Sequence, residues 1–144
     1  MKDSFRSNCP VSCALDLVGD KWTLVIIRDM LMFGKETFKD FSESGEQIAT
    51  NILSSRLKML EEKKIITKHK SPSNKRVNIY RLTEKGIELL PVIIELVQWS
   101  KNNVLEFHPS MNVNGIEALL TNKEQVIANM QISLRNKLRD SAIS

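Results

Sequence analysis

Thr50, Asn51, Ser54 and Ser55 place four short, uncharged, hydrogen-bonding side chains within six positions. Their chemistry is hydrogen-bond readout. An asparagine amide pairs bidentately with adenine, and a Ser or Thr hydroxyl serves several bases. Directly after them, residues 56–85 carry ten basic side chains: Arg56, Lys58, Lys63, Lys64, Lys68, Lys70, Lys75, Arg76, Arg81 and Lys85. Only three acids, Glu61, Glu62 and Glu84, share that segment, in a chain whose net charge is +4. The other 114 residues hold eleven basic and fourteen acidic side chains. Such asymmetry marks a polyanion-binding face. Basic groups flanking a reading surface bind phosphate and fix its register. Arg56, Lys58, Lys68, Lys75 and Arg76 are the candidates, with Asn74 in the same turn as the last two.

Cys9 is a different kind of handle. It precedes Pro10, which suits the first position of a helix because the N–H it lacks is not needed there. A helix N-terminus favours a thiolate, and Arg6 lies close in sequence. A reactive thiol there would turn an oxidant or electrophile into altered affinity; the alternative is an inert cysteine. Cys13, amid Val11, Ala14 and Leu17, reads as core. The two cysteines could supply two metal ligands, but His69 and His108 are isolated and four ligands are not evident. No metal or other cofactor is expected. Catalysis finds no support either: there is no phosphate-cradling glycine loop, no G-x-S-x-G and no H-E-x-x-H.

The elements that position these residues follow from spacing. At 144 residues and 42% apolar content the chain suits one folded domain. No apolar run approaches the ~20 residues of a membrane span. The polar stretch from Met1 to Pro10 lacks a signal-peptide core, so a cytoplasmic protein is expected. Short and strongly apolar helices are predicted over Pro10 to Val18 and Lys21 to Phe33, the second ended by Gly34. Thr37 caps a short helix over Phe38 to Phe41, with Asp40 in the reciprocal position. The best-formed helix is Ile48 to Lys63: Ile52, Leu53, Leu57 and Leu60 share one face, and the four reading residues and Lys58 lie mostly on the other. Ile65 to Lys70 and Val77 to Leu82 read as a β-hairpin with Lys75 and Arg76 at its tip. Thr83 starts a long helix to about Glu106, kinked at Pro91. Ile116 to Leu138 forms a last helix.

A short helix, a tight turn and an amphipathic helix make a helix-turn-helix candidate, and the basic hairpin makes it a winged one. At this point the chain resembles the HxlR-type branch of the MarR-like winged-helix transcriptional regulators. The resemblance covers positions 9 to 99. It rests on Cys9-Pro10, Leu15 through Thr23, Phe38-Lys39-Asp40-Phe41, Leu53 through Glu61, Tyr80 through Gly86, Pro91 and Trp99. Thr37 stands where the family often has Arg. Ala49 stands where it favours Ser, which moves the expected helix cap to Thr50. The resemblance implies a dimeric, cytoplasmic bacterial regulator whose second helix-turn-helix helix reads DNA, and in several members a cysteine at the place of Cys9 senses oxidants.

The expected fold is therefore mainly α with a small β-hairpin. Residues 1–106 form a winged helix-turn-helix domain, and 107–144 a C-terminal helical extension. The helix after Thr83 has apolar residues on several faces, which one small core cannot bury. A two-fold homodimer through the N-terminal helix, this helix and the C-terminal helix would bury them at ~25 cal/mol per Å². The expected partners are double-stranded DNA and a second copy of the chain, with no membrane and the effector open. Two other readings stand beside this one: a winged-helix module whose basic wing binds an acidic protein, and a small-molecule-binding dimer with a pocket lined by Trp22, Met30 and Trp99.

Overall fold

A computed structural model describes residues 4–143. Pro10 opens α1, Pro10–Val18, in the first-turn position expected of it. α2, Thr23–Phe33, starts two residues later than predicted, because Asp20 sets the boundary: its carboxylate accepts from the N–H groups of Trp22 (3.1 Å) and Thr23 (3.2 Å). Gly34 ends α2 with φ 65°, a left-handed conformation that glycine takes without penalty. α3, Phe38–Ser42, carries the expected capping box: Thr37 Oγ1 accepts from Asp40 N–H at 3.1 Å, and Asp40 Oδ2 from Thr37 N–H at 3.2 Å.

α4 spans Thr50–Glu62 and buries Leu53, Leu57 and Leu60. Its cap position is Ala49, which has no side-chain oxygen to offer, and Thr50 is already helical. The cap expected at Thr50 is thus absent, and Thr50 faces outward. After α4, Lys64 takes φ 62° and Ile65 N–H returns to the Leu60 carbonyl at 2.9 Å. The chain then enters β1, Ile66–Lys70, which pairs antiparallel with β2, Asn78–Leu82, from Ile66 opposite Leu82 to Lys70 opposite Asn78. Val77 falls outside the strand; its N–H is held by the Asn74 carbonyl at 2.9 Å. Apart from Ile66, all of β1 is exposed, so the hairpin projects from the body as a wing.

The long helix expected from Thr83 to about Glu106 is instead two: α5, Glu84–Ile87, and α6, Leu90–Asn103. Pro91 sits in the first turn of α6 and acts as a start, not a kink. Proline has no N–H to give the carbonyl four residues back, that of Ile87. Gln131 Nε2 donates to that carbonyl from across the core, at 3.3 Å. The predicted last helix is also divided at Asn122, into α7, Ile116–Thr121, and α8, Lys123–Ile143. Ile127, Met130, Leu134 and Leu138 of α8 pack on a core built from Ile26 and Ile27, Phe41, Leu53 to Leu60, Ile66, Ile87, Leu90 and Ile94. Arg135 adds a bidentate bond to Glu84 (2.9 and 2.6 Å). Among the described residues no helix is long and apolar enough to cross a membrane.

Candidate nucleic-acid interface

The side of α4 opposite its leucines presents Thr50, Asn51, Ser54, Ser55 and Lys58, all exposed. Four of the five lie in the first two turns, and in the first of these the helix N–H groups before Leu53 have no intrahelical partner and Ala49 supplies no side-chain cap. That end of α4 therefore offers backbone donors beside side-chain donors and acceptors. Ser55 is partly engaged, accepting from Arg56 Nη1 at 3.2 Å.

Two polar networks fix the attitude of α4. In the first, the buried Asp29 of α2 accepts from Arg28 Nε (3.1 Å) and Nη2 (2.7 Å) and from the Ser44 hydroxyl, with Lys35 Nζ at 3.5 Å. Arg28 also grips Glu46 through Nη1 (2.7 Å) and Nη2 (3.0 Å). Ser44 and Glu46 lie in the turn between α3 and α4, so this knot pins the turn, including Gln47 at φ 57°, to the buried helix. The bonds from Glu46, and then Asp29, raise the Arg28 pKa against its partial desolvation, and Arg28 in turn holds Glu46 below the usual carboxylate range. In the second network, Arg56 Nε donates to Asp20 at 2.9 Å. Burial pushes the Asp20 pKa up, but the bonds from Thr23 and Arg56 outweigh it, and the carboxyl lies below its ordinary value.

The candidate phosphate ligands divide. Lys58, Lys75 and Arg76 are exposed, and among the described residues their side chains have no ion-pair partner. Lys68 is loosely paired with Glu61 at 3.9 Å. Arg56 is turned to Asp20, away from the role expected of it. Asn74 Oδ1 accepts from Arg76 N–H at 3.1 Å and so shapes the wing turn. One further cation lies beside the wing. Lys39 of α3 lies outside the basic segment, yet it lines one groove with Arg76, Thr37, Ser42 and Asn78. The side-chain oxygen of Asn78 there is buried without a partner. The groove runs between the first helix of the helix-turn-helix and the wing.

Cys9 stands exposed at the cap of α1, as expected. Arg6 does not serve it, because its guanidinium and its N–H (3.1 Å) both go to Asp16. Nor is Cys13 core: it is half-buried and its thiol donates to the Ser7 carbonyl at 3.3 Å. Arg6 and Asp16 line the same hollow as Asp20, Arg56 and Met59, which places Arg6 and the C-terminal end of α1 next to α4. Trp22, Met30 and Trp99 do not meet in a pocket. Met30 is core, Trp22 is half-buried with the Lys21 ammonium 5.1 Å from its ring centre, and Trp99 is 61% exposed. Among the described residues no cluster of three or more His, Cys, Asp or Glu could hold a metal ion.

A polar-faced helix held between a capped first helix and a basic two-stranded wing defines a winged helix-turn-helix DNA-binding protein. The profile of the HxlR-like helix-turn-helix family matches residues 17–107, and the chain belongs to that family. Its members are transcriptional regulators rather than enzymes. The regulator YodB of Bacillus subtilis is 37% identical over 93 residues, which span 64% of this chain and 82% of YodB. Among solved structures, PA1607 superposes with a TM-score of 0.62 at 35% identity, covering 68% of this chain and 67% of PA1607. The redox regulator HypR in its oxidised form gives 0.59 at 29% identity, covering 66% of this chain and 97% of HypR. YodB itself has been solved reduced, diamide-treated and quinone-bound.

Proposed function

We propose that this regulator is a cytoplasmic homodimer that binds a roughly palindromic duplex operator, one α4 to each half-site. The exposed, uncharged N-terminal face of α4 carries this reading. Thr50, Asn51, Ser54 and Ser55 contact base edges in the major groove, and Lys58, Lys68, Lys75 and Arg76 contact phosphates. Lys39 joins them, because the first helix of such a motif crosses the backbone. Arg56 holds α4 from behind. α1 and α6 form most of the dimer contact, since they leave Val11, Leu15, Val92, Leu96 and Trp99 exposed while α8 spends its apolar stripe inside its own chain. Two-fold symmetry then sets half-sites ~34–36 Å apart. The test is selection of bound sequences from random DNA, followed by a salt titration on the winner. A palindromic consensus whose log K falls by ~0.9 per phosphate contact supports the reading, and sequence-independent binding would overturn it.

Oxidation of Cys9 adjusts that binding. Its support is the exposed thiol at a helix N-terminus, the hollow shared by the α1 segment and the Asp20–Arg56 pair, and the redox chemistry recorded for HypR and YodB. Operator affinity before and after diamide, for wild type and Cys9→Ser, tests it. A shift in the wild type alone supports the role, and equal affinity in all four samples ends it.

A further inference from the structure

α8 retraces in reverse the chain it packs on. Lys123 at its start pairs with Glu95 in the middle of α6 at 2.6 Å, Gln131 reaches the Ile87 carbonyl at 3.3 Å, and Arg135 grips Glu84. Leu134, Lys137 and Leu138 then border the same hollow as Tyr80 and Arg81 of β2. β2 runs from the wing tip to the wing base, so a helix that goes back along it heads from the α6 side toward the tip. The direction matters because of what α8 carries at its end. Lys137 and Arg139 are both exposed. Among the described residues Lys137 has no ion-pair or hydrogen-bond partner, and Arg139 donates only to the amide oxygen of Asn136, one turn back.

These cations continue the basic side of the wing. Tyr80 borders both the hollow beside α8 and the groove that holds Lys39 and Arg76. Taken together, the two linings hold Lys35, Lys39, Arg76, Arg81 and Lys137 against one carboxylate, Glu36. Lys35 is committed to Ser44 (3.1 Å) and Asp29 (3.5 Å), and the others stay available. A run of one sign of charge beside a phosphate-binding surface concentrates polyanion along its length. We propose that the end of α8 is a second DNA-contacting element, in which Lys137 and Arg139 bind phosphates of the duplex flanking each half-site on the wing side. The proposal rests on operator binding by α4 and extends it, because phosphate contacts outside the half-site add affinity without reading sequence. The element is particular to the C-terminal extension: α8 lies beyond the residues 17–107 that the family profile matches.

The test measures salt dependence on two duplexes. One is the selected operator cut at the outer edge of each half-site, and the other carries about one more DNA turn, ~10 base pairs, on each side. Fluorescence anisotropy is followed across a salt series for the wild type and for Lys137→Gln with Arg139→Gln, each with native circular dichroism. The wild-type salt slope should be steeper on the long duplex, by ~0.9 for each flanking phosphate contact. The double variant should lose that increment and match the wild type on the short duplex. Lys123→Gln is the control. It lies ~21 Å from Lys137 along α8 at 1.5 Å per residue, well beyond a Debye length of ~8 Å, and should behave as the wild type on both duplexes. Hydroxyl-radical footprints should reach further past each half-site for the wild type than for the double variant. A double variant that keeps the increment, an equal loss on both duplexes, or a wild-type slope that is the same on both would each overturn the proposal. A wrong operator reading shows differently: the wild type would then bind both duplexes no better than scrambled DNA of equal length.

Discussion

Asp20 joins two helices with one carboxylate: it accepts the Trp22 and Thr23 N–H groups at the start of α2 and the Nε–H of Arg56 on α4, the last at 2.9 Å. The helix that bears the reading face is thereby tied to the end of the α1–α2 connection. Asp20→Asn keeps the shape and loses the charge. The amide oxygen still accepts, so what is lost is the charge-assisted part of these bonds, ~1 kcal/mol or roughly 2–4 °C in a chain of this size. The pH dependence has a definite sign. The folded carboxyl lies below its ordinary value of 3.8, so its contribution is complete above that value and is lost as pH falls through the folded one. The gap between wild type and Asp20→Asn should be full at neutral pH and shrink in acid. Urea melts at neutral and acidic pH check this, and a gap unchanged by acid would remove the carboxylate as its source.

The knot at Asp29 is far less tolerant. The Asp29 side chain is 1% exposed and faces Arg28 and Lys35. Asp29→Ala leaves those cations without their buried partner, which costs ~3–5 kcal/mol. Glu46 is 41% exposed, so Glu46→Gln should cost under ~1 kcal/mol while still loosening the turn before α4. Guanidinium melts separate the two, with a large drop in midpoint at an unchanged slope for Asp29→Ala.

Much of this architecture is legible in the sequence where one buried face repeats. Leu53, Leu57 and Leu60 announce α4, and Thr37 with Asp40 announces α3. What escapes is whatever depends on a partner distant along the chain. Arg56 belongs to a basic run, and nothing local says that it turns inward to a residue 36 positions away. Asp29 and Ser44 meet only once α2 and the turn are packed. The division at Pro91 is not legible because apolar residues on both sides continue one helical pattern, and the carbonyl left over at Ile87 finds Gln131, 44 positions on. The place of Lys39 is not legible because its neighbours in sequence are mostly apolar or acidic, whereas the groove it lines is shared with Arg76 of the wing turn.

Base readers and phosphate ligands should fail differently. Asn51→Ala removes a side chain assigned to a base edge. It should cost ~1–3 kcal/mol on the selected operator and leave binding to unrelated DNA unchanged. Lys39→Ala and Arg76→Ala should weaken both DNAs about equally, and each should reduce the salt slope by ~0.9. Fluorescence anisotropy on the two duplexes across a salt series gives all of these values. A Lys39→Ala protein with an unchanged salt slope would remove α3 from the phosphate contact.

The dimer assignment makes the last prediction, and it bears on affinity as well as on mass. Leu96 and Trp99 are 48% and 61% exposed on α6, three positions apart and therefore on one face of the helix. In a two-fold contact each copy would meet its own counterpart, so one substitution acts twice. Leu96→Glu and Trp99→Glu place charges into that contact, and burying a pair of like charges is strongly unfavourable. Neither side chain is in the core of its own chain, so the protomer should melt with its fold intact. Sedimentation should then show a dimer for the wild type and a monomer for the double variant at micromolar concentration. A monomer has one α4 and can occupy only one half-site, so its affinity for the full operator should fall to that for a single half-site. Its affinity for an isolated half-site should be unchanged. If the double variant sediments as a dimer, the contact lies elsewhere than on α6.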